Sequence, residues 1–295
     1  VLYRPLGMAS TSSRFADYTS RPNRAVGHVK VDGAYQPRYT RDADAQSAAG
    51  GVSASLNDMT HWLTMMLAGG SYNGTQIVEP SALLEALTPQ MVSSPPSDPA
   101  MRSGFYGYGF NISTTAAARV QFSHSGAFDL GAATNFVIIP SADVAIVVLT
   151  NAAPTGVAET LTAEFADLVQ FGAVKQDWRR LYAGAFAGMD RPFGELAGQQ
   201  PPAESSPPRP LPTYTGSYAN RYWGPATVSV KDGALTLSMG PRPENYPLTH
   251  WDGDTFTFSP VTENAPPGSI SRATFNGDRL TLEYFNQDKM GTFTR

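Results

Sequence analysis

The amino-acid sequence predicts an α+β protein: part of an antiparallel sheet flanked by helices, followed by a small antiparallel β-barrel. Two apolar runs, 135–139 and 144–151, are joined by the turn-forming residues 140–143 and are typical of paired strands. Amphipathic helical patterns lie before and after these runs. Beyond a proline-rich stretch, the pattern changes to short runs that alternate polar and apolar residues. Two regions of different architecture are therefore expected in one chain.

Length, charge and cysteine content limit the classes of protein. The chain has 295 residues, of which 41% are hydrophobic, enough for one large domain or two ordinary ones. The formal net charge is -4 and lysines and arginines do not cluster, so a nucleic-acid-binding surface is not expected. The longest apolar runs are strand-length, far short of the roughly 20 residues that a membrane-spanning helix needs. The absence of cysteine excludes disulfides and a cysteine nucleophile.

The elements before and after the apolar strands can be placed from caps, glycines and periodicity. The first fifty residues are rich in Gly, Pro, Ser, Asp and Tyr, which predicts long loops with short strands. An amphipathic helix is expected from its N-cap Ser55 to the glycine pair at 69–70, with His61 and Trp62 covering the core. Three further elements follow: a helix from Pro80 to the residue before Pro89, an aromatic strand over 104–113, and a helix over 156–171 packed across the sheet.

Composition changes again in the segment 186–212, which is predicted to be a proline-rich linker. Its Gln-Gln-Pro-Pro, Ser-Ser-Pro-Pro and Arg-Pro-Leu-Pro runs cannot hold a regular ladder and favour extended conformations. The linker would separate one domain over 1–185 from a second over 213–295. In the second domain, runs such as 234–238 and 280–285 alternate inward and outward positions between turn signals, which favours a small antiparallel barrel or sandwich.

The stretch Ser-His-Ser-Gly-Ala at 123–127 is the candidate site, because it leads directly into the paired apolar strands. His124 supplies a titratable nitrogen and Ser125 a hydroxyl, while Gly126 lacks a Cβ and lets another backbone approach closely. The triplet alone is a weak signal, because short triplets recur by chance and a histidine on a strand is more often structural.

Metal and cofactor sites are not predicted. The histidines are widely scattered without a helical His-x-x-x-His pair, and the acidic residues at 42–44 and 252–254 do not continue into a calcium-binding loop. The sequence also contains neither a Gly-x-Ser-x-Gly nucleophile turn nor a glycine-rich phosphate loop. We therefore expect neither a metal ion nor an organic cofactor.

Over roughly residues 1–172, the chain resembles the serine hydrolases of the class C β-lactamase, D,D-peptidase and esterase type. Five segments carry the resemblance in the family's order: Pro-Leu-Gly-Met at 5–8 with Thr11 and Ser12, Asn-Arg-Ala-Val-Gly-His at 23–28, Ala-Gly-Gly-Val-Ser-Ala-Ser at 49–55 continuing to Leu63, Tyr-Gly-Tyr-Gly-Phe at 106–110, and His-Ser-Gly-Ala at 124–127. The last segment falls where the family has its third motif, Lys-Thr-Gly or His-x-Gly. Residues 213–295 resemble the lipocalin-like β-barrel module often appended to these hydrolases.

The resemblance implies a β-lactamase-like hydrolase domain over 1–185. Such an enzyme would act through an acyl-enzyme on an ester, a D-amino-acid peptide or amide, or a β-lactam. The family places a nucleophilic Ser and a Lys one helical turn apart in Ser-x-x-Lys, and a Tyr-x-Asn before its third motif. Of the four lysines here, none follows a serine by three residues. Tyr218 begins a Tyr-x-Asn, but it lies after the His-Ser-Gly motif, so we expect it to be a structural residue of the barrel.

Four residues of the candidate site acquire roles from the resemblance. His124 would line the cleft where β-lactamases have lysine, and would bond the substrate carboxylate or the proton-transfer network. The backbone N–H of Ala127 would be one of two oxyanion donors. Ser125 would contact the substrate carboxylate or carbonyl, and Gly126 would let the substrate lie along the strand as an extra β-partner. His-x-Gly in place of Lys-Thr-Gly favours the peptidases and esterases of the family over its dedicated β-lactamases.

The missing nucleophile leaves two hypotheses. In the first, an N-terminal companion segment carries Ser-x-x-Lys, upstream or on a separate chain, and this chain alone is inactive. In the second, the chain is a non-catalytic ligand-binding or assembly module derived from the same fold. The resemblance further implies a small-molecule or peptide substrate and a periplasmic or secreted location.

Overall fold

The computed structural model describes residues 1–189, 191–260, 262 and 264–295. The chain divides into two units, Val1–Gly188 and Met189–Arg295. The helices of the first unit are α1 (Phe15–Ser20), α2 (Ser47–Gly50), α3 (Leu56–Leu67), α4 (Pro80–Ala86), α5 (Val157–Phe171) and α6 (Trp178–Phe186). Its strands are β1 (Val29–Val31), β2 (Ala34–Gln36), β3 (Ser71–Tyr72), β4 (Thr75–Gln76), β5 (Met91–Ser94), β6 (Gly104–Tyr106), β7 (Asn111–Thr114), β8 (Val120–Phe128), β9 (Ala132–Ile139) and β10 (Val144–Thr150).

The main sheet of the first unit is antiparallel, with the strand order β10-β9-β8-β7-β6-β5. Each strand pairs with its neighbour in the sequence, so the sheet is a meander. Helix α3 packs against β10, and α5 packs against β9 and β10. The predicted antiparallel sheet with flanking helices is confirmed.

The side chains of β9 alternate between the two helical layers. Ile138 packs into the core with Leu63 and Met66 of α3, and Phe136 lies against the same core. The intervening Val137 and Ile139 pack instead with Ala166 of α5. Because directly opposite residues of antiparallel strands share a face, this alternation also fixes the face on which each residue of β8 lies.

Helix α3 begins at the N-cap that the sequence predicts. The Ser55 hydroxyl accepts a hydrogen bond from the backbone N–H of Asp58 at 3.1 Å, which satisfies one of the free donors of the first turn. Trp62 lies between Phe110 and Phe136, with ring centroids 6.3 and 5.0 Å away. The expectation that this tryptophan covers the core is confirmed.

The aromatic segment predicted as one strand over 104–113 is a hairpin, β6 and β7. Between the strands, the N–H of Tyr108 donates to the carbonyl oxygen of Ala86 at 3.0 Å. A Cβ on Gly107 would lie 2.4 Å from that oxygen, and Gly109 has a φ of +87°. The glycines therefore let the chain turn against the end of α4 instead of continuing as a strand.

The second unit contains β11 (Gly216–Tyr218), β12 (Ala226–Lys231), β13 (Ala234–Met239), β14 (Glu244–Asp252), β15 (Thr255–Phe258), β16 (Ser271–Asn276), β17 (Arg279–Leu282) and β18 (Thr292–Thr294). These strands pair antiparallel in sequence order. Ala219, just after β11, exchanges two backbone hydrogen bonds of 2.6 and 2.9 Å with Thr294 on β18. The first and last strands are thereby joined, and the sheet is a nearly closed β-barrel, as predicted.

The barrel core is rich in aromatic residues, and Tyr218 belongs to it. This side chain is completely buried, and its hydroxyl donates to the carbonyl of Tyr214 at 2.8 Å. Its ring packs edge to face on Phe275 at 6.0 Å. Tyr218 is therefore a structural residue, as expected from its place in the sequence.

The proline-rich segment before β11 is bonded to the barrel at several points. Ile270 N–H donates to the Phe193 carbonyl at 2.8 Å, and Ser206 N–H donates to Asp252 at 2.7 Å. Proline cannot donate a backbone hydrogen bond, but the other residues of the segment supply N–H groups and carbonyls to these contacts.

Candidate functional site

The predicted site lies at an open edge of the main sheet. Residues 122–128 of β8 all pair with β9 on one side. On the other side, β7 begins at Asn111, opposite Ser123, and no strand within the described residues pairs with β8 beyond that point. Residues 124–128 therefore present an unpaired strand edge at the His-Ser-Gly-Ala motif.

The hairpin between β7 and β8 fixes which backbone groups point to this edge. The N–H of Thr115 donates to the carbonyl of Arg119 at 2.8 Å, in the same register as the paired strands. Hydrogen-bonded pairs alternate with non-bonded pairs along an antiparallel ladder. The backbone groups of Arg119 face β7, and those of every second residue after it face the same side. The N–H groups of Ser125 and Ala127 therefore point to the open edge. The Ala127 N–H thus points away from β9.

His124 lies on the α3 face of the sheet, directly opposite Phe136. A hydrogen bond of 3.0 Å joins its Nε2 to the hydroxyl of Tyr106 on β6, and the two rings meet edge to face with centroids 6.0 Å apart. Both side chains are half-buried. One ring nitrogen is thus held by the neighbouring hairpin, and the imidazole has a defined orientation.

Ser125 points to the opposite face of the sheet, toward α5. Its hydroxyl donates a hydrogen bond to Oε1 of Glu159 in the first turn of that helix. On β9, the residue opposite Ser125 is Asn135, whose side chain donates to the Thr162 hydroxyl at 2.6 Å. A small buried polar cluster therefore lies behind the motif, on the side away from His124.

Gly126 and the end of β8 complete the geometry. A Cβ on Gly126 would lie 3.0 Å from Oγ1 of Thr134, its partner on β9, so a larger residue would displace that side chain. Beyond the motif, the guanidinium of Arg41 lies 3.8 Å above the ring of Phe128 and donates to the Gly50 carbonyl at 2.6 Å. The segment from Arg41 to Gly50, at the end of α2, therefore contacts the end of β8.

A cavity of about 650 Å³ opens on the α5 face beside the polar cluster. Ser123, Asn135, Thr162 and Tyr182 line part of it. Burial and, to a smaller extent, the nearby Glu159 carboxylate raise the pKa of the Tyr182 phenol above its ordinary value.

The structure brings the four predicted residues together on one strand but divides them between two faces and an edge. His124 and Gly126 lie on the α3 face, Ser125 lies on the α5 face, and the backbone of Ala127 points to the edge. Sequence reasoning missed two side chains that contact the motif. Tyr106 belongs to the recognised Tyr-Gly-Tyr-Gly segment, which could have indicated it, whereas the sequence carries no signal for Glu159.

The described residues contain neither a metal-binding cluster nor a membrane-spanning helix. Among the residues that the structure describes, no group of three or more His, Cys, Asp or Glu side chains could hold a metal ion. None of the helices in the described ranges is both long enough and apolar enough to cross a bilayer.

Similarity to known proteins gives the family. The Beta-lactamase family model matches residues 1–171, more than half of the chain, so the chain belongs to this family. Residues 200–290 match a second model, described as a domain of unknown function (DUF3471), which here forms the β-barrel. Among curated proteins, none shows significant sequence similarity to the chain. The resemblance inferred from the ordered motifs is confirmed.

Several solved structures are similar to the chain. The C-terminal domain of penicillin binding protein Rv0907 is 62% identical, covering 35% of this chain and 100% of that domain, with a TM-score of 0.32. An octameric penicillin-binding protein homologue from Pyrococcus abyssi is 17% identical over 100% of this chain, with a TM-score of 0.47. A class C β-lactamase from Rhodobacter sphaeroides is 17% identical over 63% of this chain, with a TM-score of 0.39. The chain spans 58% and 50% of the lengths of the last two proteins.

Proposed function

We propose that this chain forms one wall of the active site of a serine hydrolase that acts by acyl transfer. The observation that carries the proposal is the open edge of β8 at residues 124–128, where no strand of the described residues pairs with β8 on the side away from β9, at the family's third motif. A peptide or acyl substrate can lie along such an edge as an additional strand. The backbone groups of Ser125 and Ala127 that point outward would bind it.

The proposed roles follow from the directions of the groups. In the reaction, a serine oxygen forms a bond to the substrate carbonyl carbon, and the leaving group departs with a proton. Water then cleaves the acyl-serine ester, releasing the acid and restoring the serine. The Ala127 N–H would stabilise the negative charge on the carbonyl oxygen, and His124, oriented by Tyr106, would bond the substrate or the proton-transfer network.

The nucleophile itself is proposed to come from outside these 295 residues. No lysine of the chain has a serine three positions before it, so the Ser-x-x-Lys pair would be supplied by an upstream segment or a companion chain. The substrate class proposed is an ester, a D-amino-acid peptide or amide, or a β-lactam. His-x-Gly at 124–126, in place of Lys-Thr-Gly, favours the first two.

Covalent labelling tests the proposal. The protein as isolated, with any segment or chain that accompanies residues 1–295, would be treated with a fluorophosphonate and with a fluorescent penicillin, then mapped by mass spectrometry. We expect one modified serine, followed after three residues by lysine, outside this chain. The variant His124→Ala should acylate about a hundredfold more slowly, since positioned acid–base groups contribute rate factors of this order or more.

Two outcomes would contradict this function. Modification of a serine within residues 1–295 would place the nucleophile elsewhere than proposed. Absence of labelling, together with no hydrolysis of esters, D-amino-acid amides or β-lactams, would favour the non-catalytic module instead.

A further inference from the structure

Glu159 is a buried carboxylate directly behind the motif. Its side chain is on α5, and the residue is only 5% exposed. Oε1 accepts the hydrogen bond from the Ser125 hydroxyl, while Oε2 has no hydrogen-bond partner in the described part of the chain. A buried carboxylate with one unbonded oxygen is costly for the folded protein, because burial removes hydration that only hydrogen bonds or charges can replace.

The surrounding residues hold Glu159 in place. Its backbone carbonyl accepts a hydrogen bond from the Thr162 hydroxyl at 3.0 Å, and that hydroxyl also accepts from Asn135 on β9 at 2.6 Å. The helix turn is further fixed at Gly156, where a Cβ would lie 2.8 Å from Cβ of Tyr182. The carboxylate is therefore fixed against the strand that carries Ser125.

The local charge is not neutralised by an ion pair. No Lys, Arg or His side chain among the described residues forms a salt bridge with Glu159. Burial and, to a smaller extent, the Glu159 carboxylate raise the pKa of the nearby Tyr182 phenol. In a site screened from water, such a charge acts more strongly on nearby charges than it would at an exposed position.

We propose that Glu159 determines the charge of the substrate accepted at Ser125, favouring neutral or positively charged groups over carboxylates. The inference rests on the serine-hydrolase function proposed above. A serine hydroxyl has one proton to donate, and here Glu159 receives it, so Ser125 cannot also donate to a substrate carboxylate. An anionic substrate group beside Ser125 would in addition be repelled by the buried carboxylate.

The substrate class follows from this arrangement. Esters and amides whose acyl part is neutral, or carries a free amino group, fit the site beside Ser125. β-Lactams and peptides that present a carboxylate there do not. The Ser125 hydroxyl, whose proton goes to Glu159, can only accept a hydrogen bond from a substrate, so the expected contact with a substrate carbonyl would fall to the backbone N–H of Ser125.

The test uses p-nitrophenyl esters with acyl chains of equal length: hexanoate as the neutral substrate, monoadipate as the anionic one and 6-aminohexanoate as the cationic one. Rates would be corrected for uncatalysed hydrolysis. In the complete enzyme, we expect kcat/KM for the adipate ester to be at least tenfold below that for the hexanoate ester. Glu159→Gln keeps an oxygen that can accept from Ser125 but removes the charge, and should raise the adipate-to-hexanoate ratio about tenfold.

Glu164→Gln is the matched control, since Glu164 is on the same helix and no hydrogen bond or ion pair within the described residues joins it to the motif. It should leave the ratio unchanged. An unchanged ratio in Glu159→Gln, in an enzyme that hydrolyses the hexanoate ester, would overturn the inference while leaving the hydrolase function intact. Failure of the unmodified enzyme to hydrolyse any of the esters would instead count against the hydrolase function.

If the Glu159→Gln variant does not fold, the kcat/KM values of the unmodified enzyme still test the inference. Equal corrected kcat/KM values for the adipate and hexanoate esters would overturn the inference. A preference for the hexanoate and 6-aminohexanoate esters would support it.

Discussion

Among the residues that the structure describes, the hydrogen bond that positions the His124 side chain is the one to the Tyr106 hydroxyl, at 3.0 Å. The bond comes from β6, two strands away in the sheet, so the orientation of the imidazole depends on the hairpin of β6 and β7. A histidine that takes part in proton transfer must present the correct nitrogen to its partner, and the other nitrogen is usually fixed by a hydrogen bond. Tyr106 is therefore a positioning residue for His124.

The change Tyr106→Phe removes this hydrogen bond and keeps the ring packing. We expect kcat of the complete enzyme to fall about fivefold with little change in KM, the effect of losing one hydrogen bond worth about 1 kcal/mol. Steady-state kinetics with a p-nitrophenyl ester, alongside the thermal midpoint, would measure it. Tyr108→Phe is the control, because Tyr108 lies in the same motif but is 62% exposed. Equal kcat values for Tyr106→Phe and Tyr108→Phe would contradict the role of Tyr106 in positioning His124.

For individual residues, the sequence predicts where in the chain the site lies but not which side chains surround it. His124, Ser125, Gly126 and Ala127 are adjacent in the chain, and their position before two apolar strands makes them recognisable. The contact between Ser125 and Glu159 joins residues 34 positions apart, across a sheet and a helix. Periodicity places Glu159 on a helix, but only the packing of α5 on the sheet brings its carboxylate to the motif.

Among the elements, α3 is tied to the preceding loop through one buried acidic residue. Asp58 is 6% exposed, and its Oδ2 accepts from the backbone N–H of Ser10 at 2.8 Å and from the Thr11 hydroxyl at 2.7 Å. The loop follows the Pro-Leu-Gly-Met segment, whose Leu6 and Met8 are buried with α3. The polar contact and the apolar contacts therefore fix the same junction.

Replacing Asp58 by alanine should lower the free energy of unfolding by about 3 kcal/mol, because it removes two hydrogen bonds to a charged acceptor and leaves their donors unsatisfied. Urea-induced unfolding followed by circular dichroism would give the value. Glu85→Ala, at an exposed position on α4, serves as the control and should change the free energy by less than about 0.5 kcal/mol. If Asp58→Ala lowered the free energy of unfolding by less than about 0.5 kcal/mol, Asp58 would not stabilise the contact between α3 and the preceding loop.

Elements with strong periodicity or clear caps follow from the sequence, and others do not. α3 matches the predicted helix because the N-cap Ser55 and the glycine pair after the helix agree with its apolar stripe, and α5 matches because its apolar residues recur at helical spacing up to Gly172. The hairpin at 104–114 was predicted as one strand, because its aromatic residues favour β-structure and the close approach to α4 is not encoded locally. Helix α6 was not predicted, although Asp177 caps it by accepting from the Arg180 N–H at 2.9 Å.

For the molecule as a whole, the proline-rich segment and the barrel are linked by a charged cluster. Asp254 accepts hydrogen bonds from the Tyr214 hydroxyl at 2.5 Å and from Nε of Arg209 at 3.0 Å. The Tyr214 hydroxyl first, and then Arg209, hold the pKa of Asp254 below its ordinary value of 3.8. The same cluster joins the turn between β14 and β15 to the residues that precede β11.

The lowered pKa of Asp254 sets the sign of an acid effect on the barrel. A carboxyl whose pKa is lower in the folded state stabilises the fold above its unfolded pKa, and this stabilisation is lost as the pH falls through the folded pKa. Unfolding free energies from urea titrations at pH 6 and pH 3 should therefore differ less in Asp254→Asn than in the unmodified protein. Because Asp254 is partly exposed, we expect a small difference.

Asp278→Asn is the control for this measurement, since Asp278 lies in an exposed turn of the same barrel. It should leave the acid dependence unchanged. The assignment to Asp254 would be wrong if both variants behaved alike.

The sequence predicts the order of the two architectures, because helical periodicity in the first region gives way to alternating runs and turn signals in the second. It cannot predict the joining of Ala219 to Thr294, since those residues are 75 positions apart and nothing local marks the pairing. The proline-rich composition predicts extended backbone, but the contacts of Phe193, Ser206 and Arg209 with the barrel depend on its folded surface.

The alternation of side chains along β8 has a consequence for how this family can diversify. His124 and Tyr106 lie on one face, while Ser125 and Glu159 meet on the other. If Glu159 has the proposed role, a substitution at position 159 would change which substrates are accepted without disturbing the side chains proposed for proton transfer. Two consecutive residues of one strand therefore belong to two separate side-chain networks, and each network can be altered by a substitution that leaves the other in place.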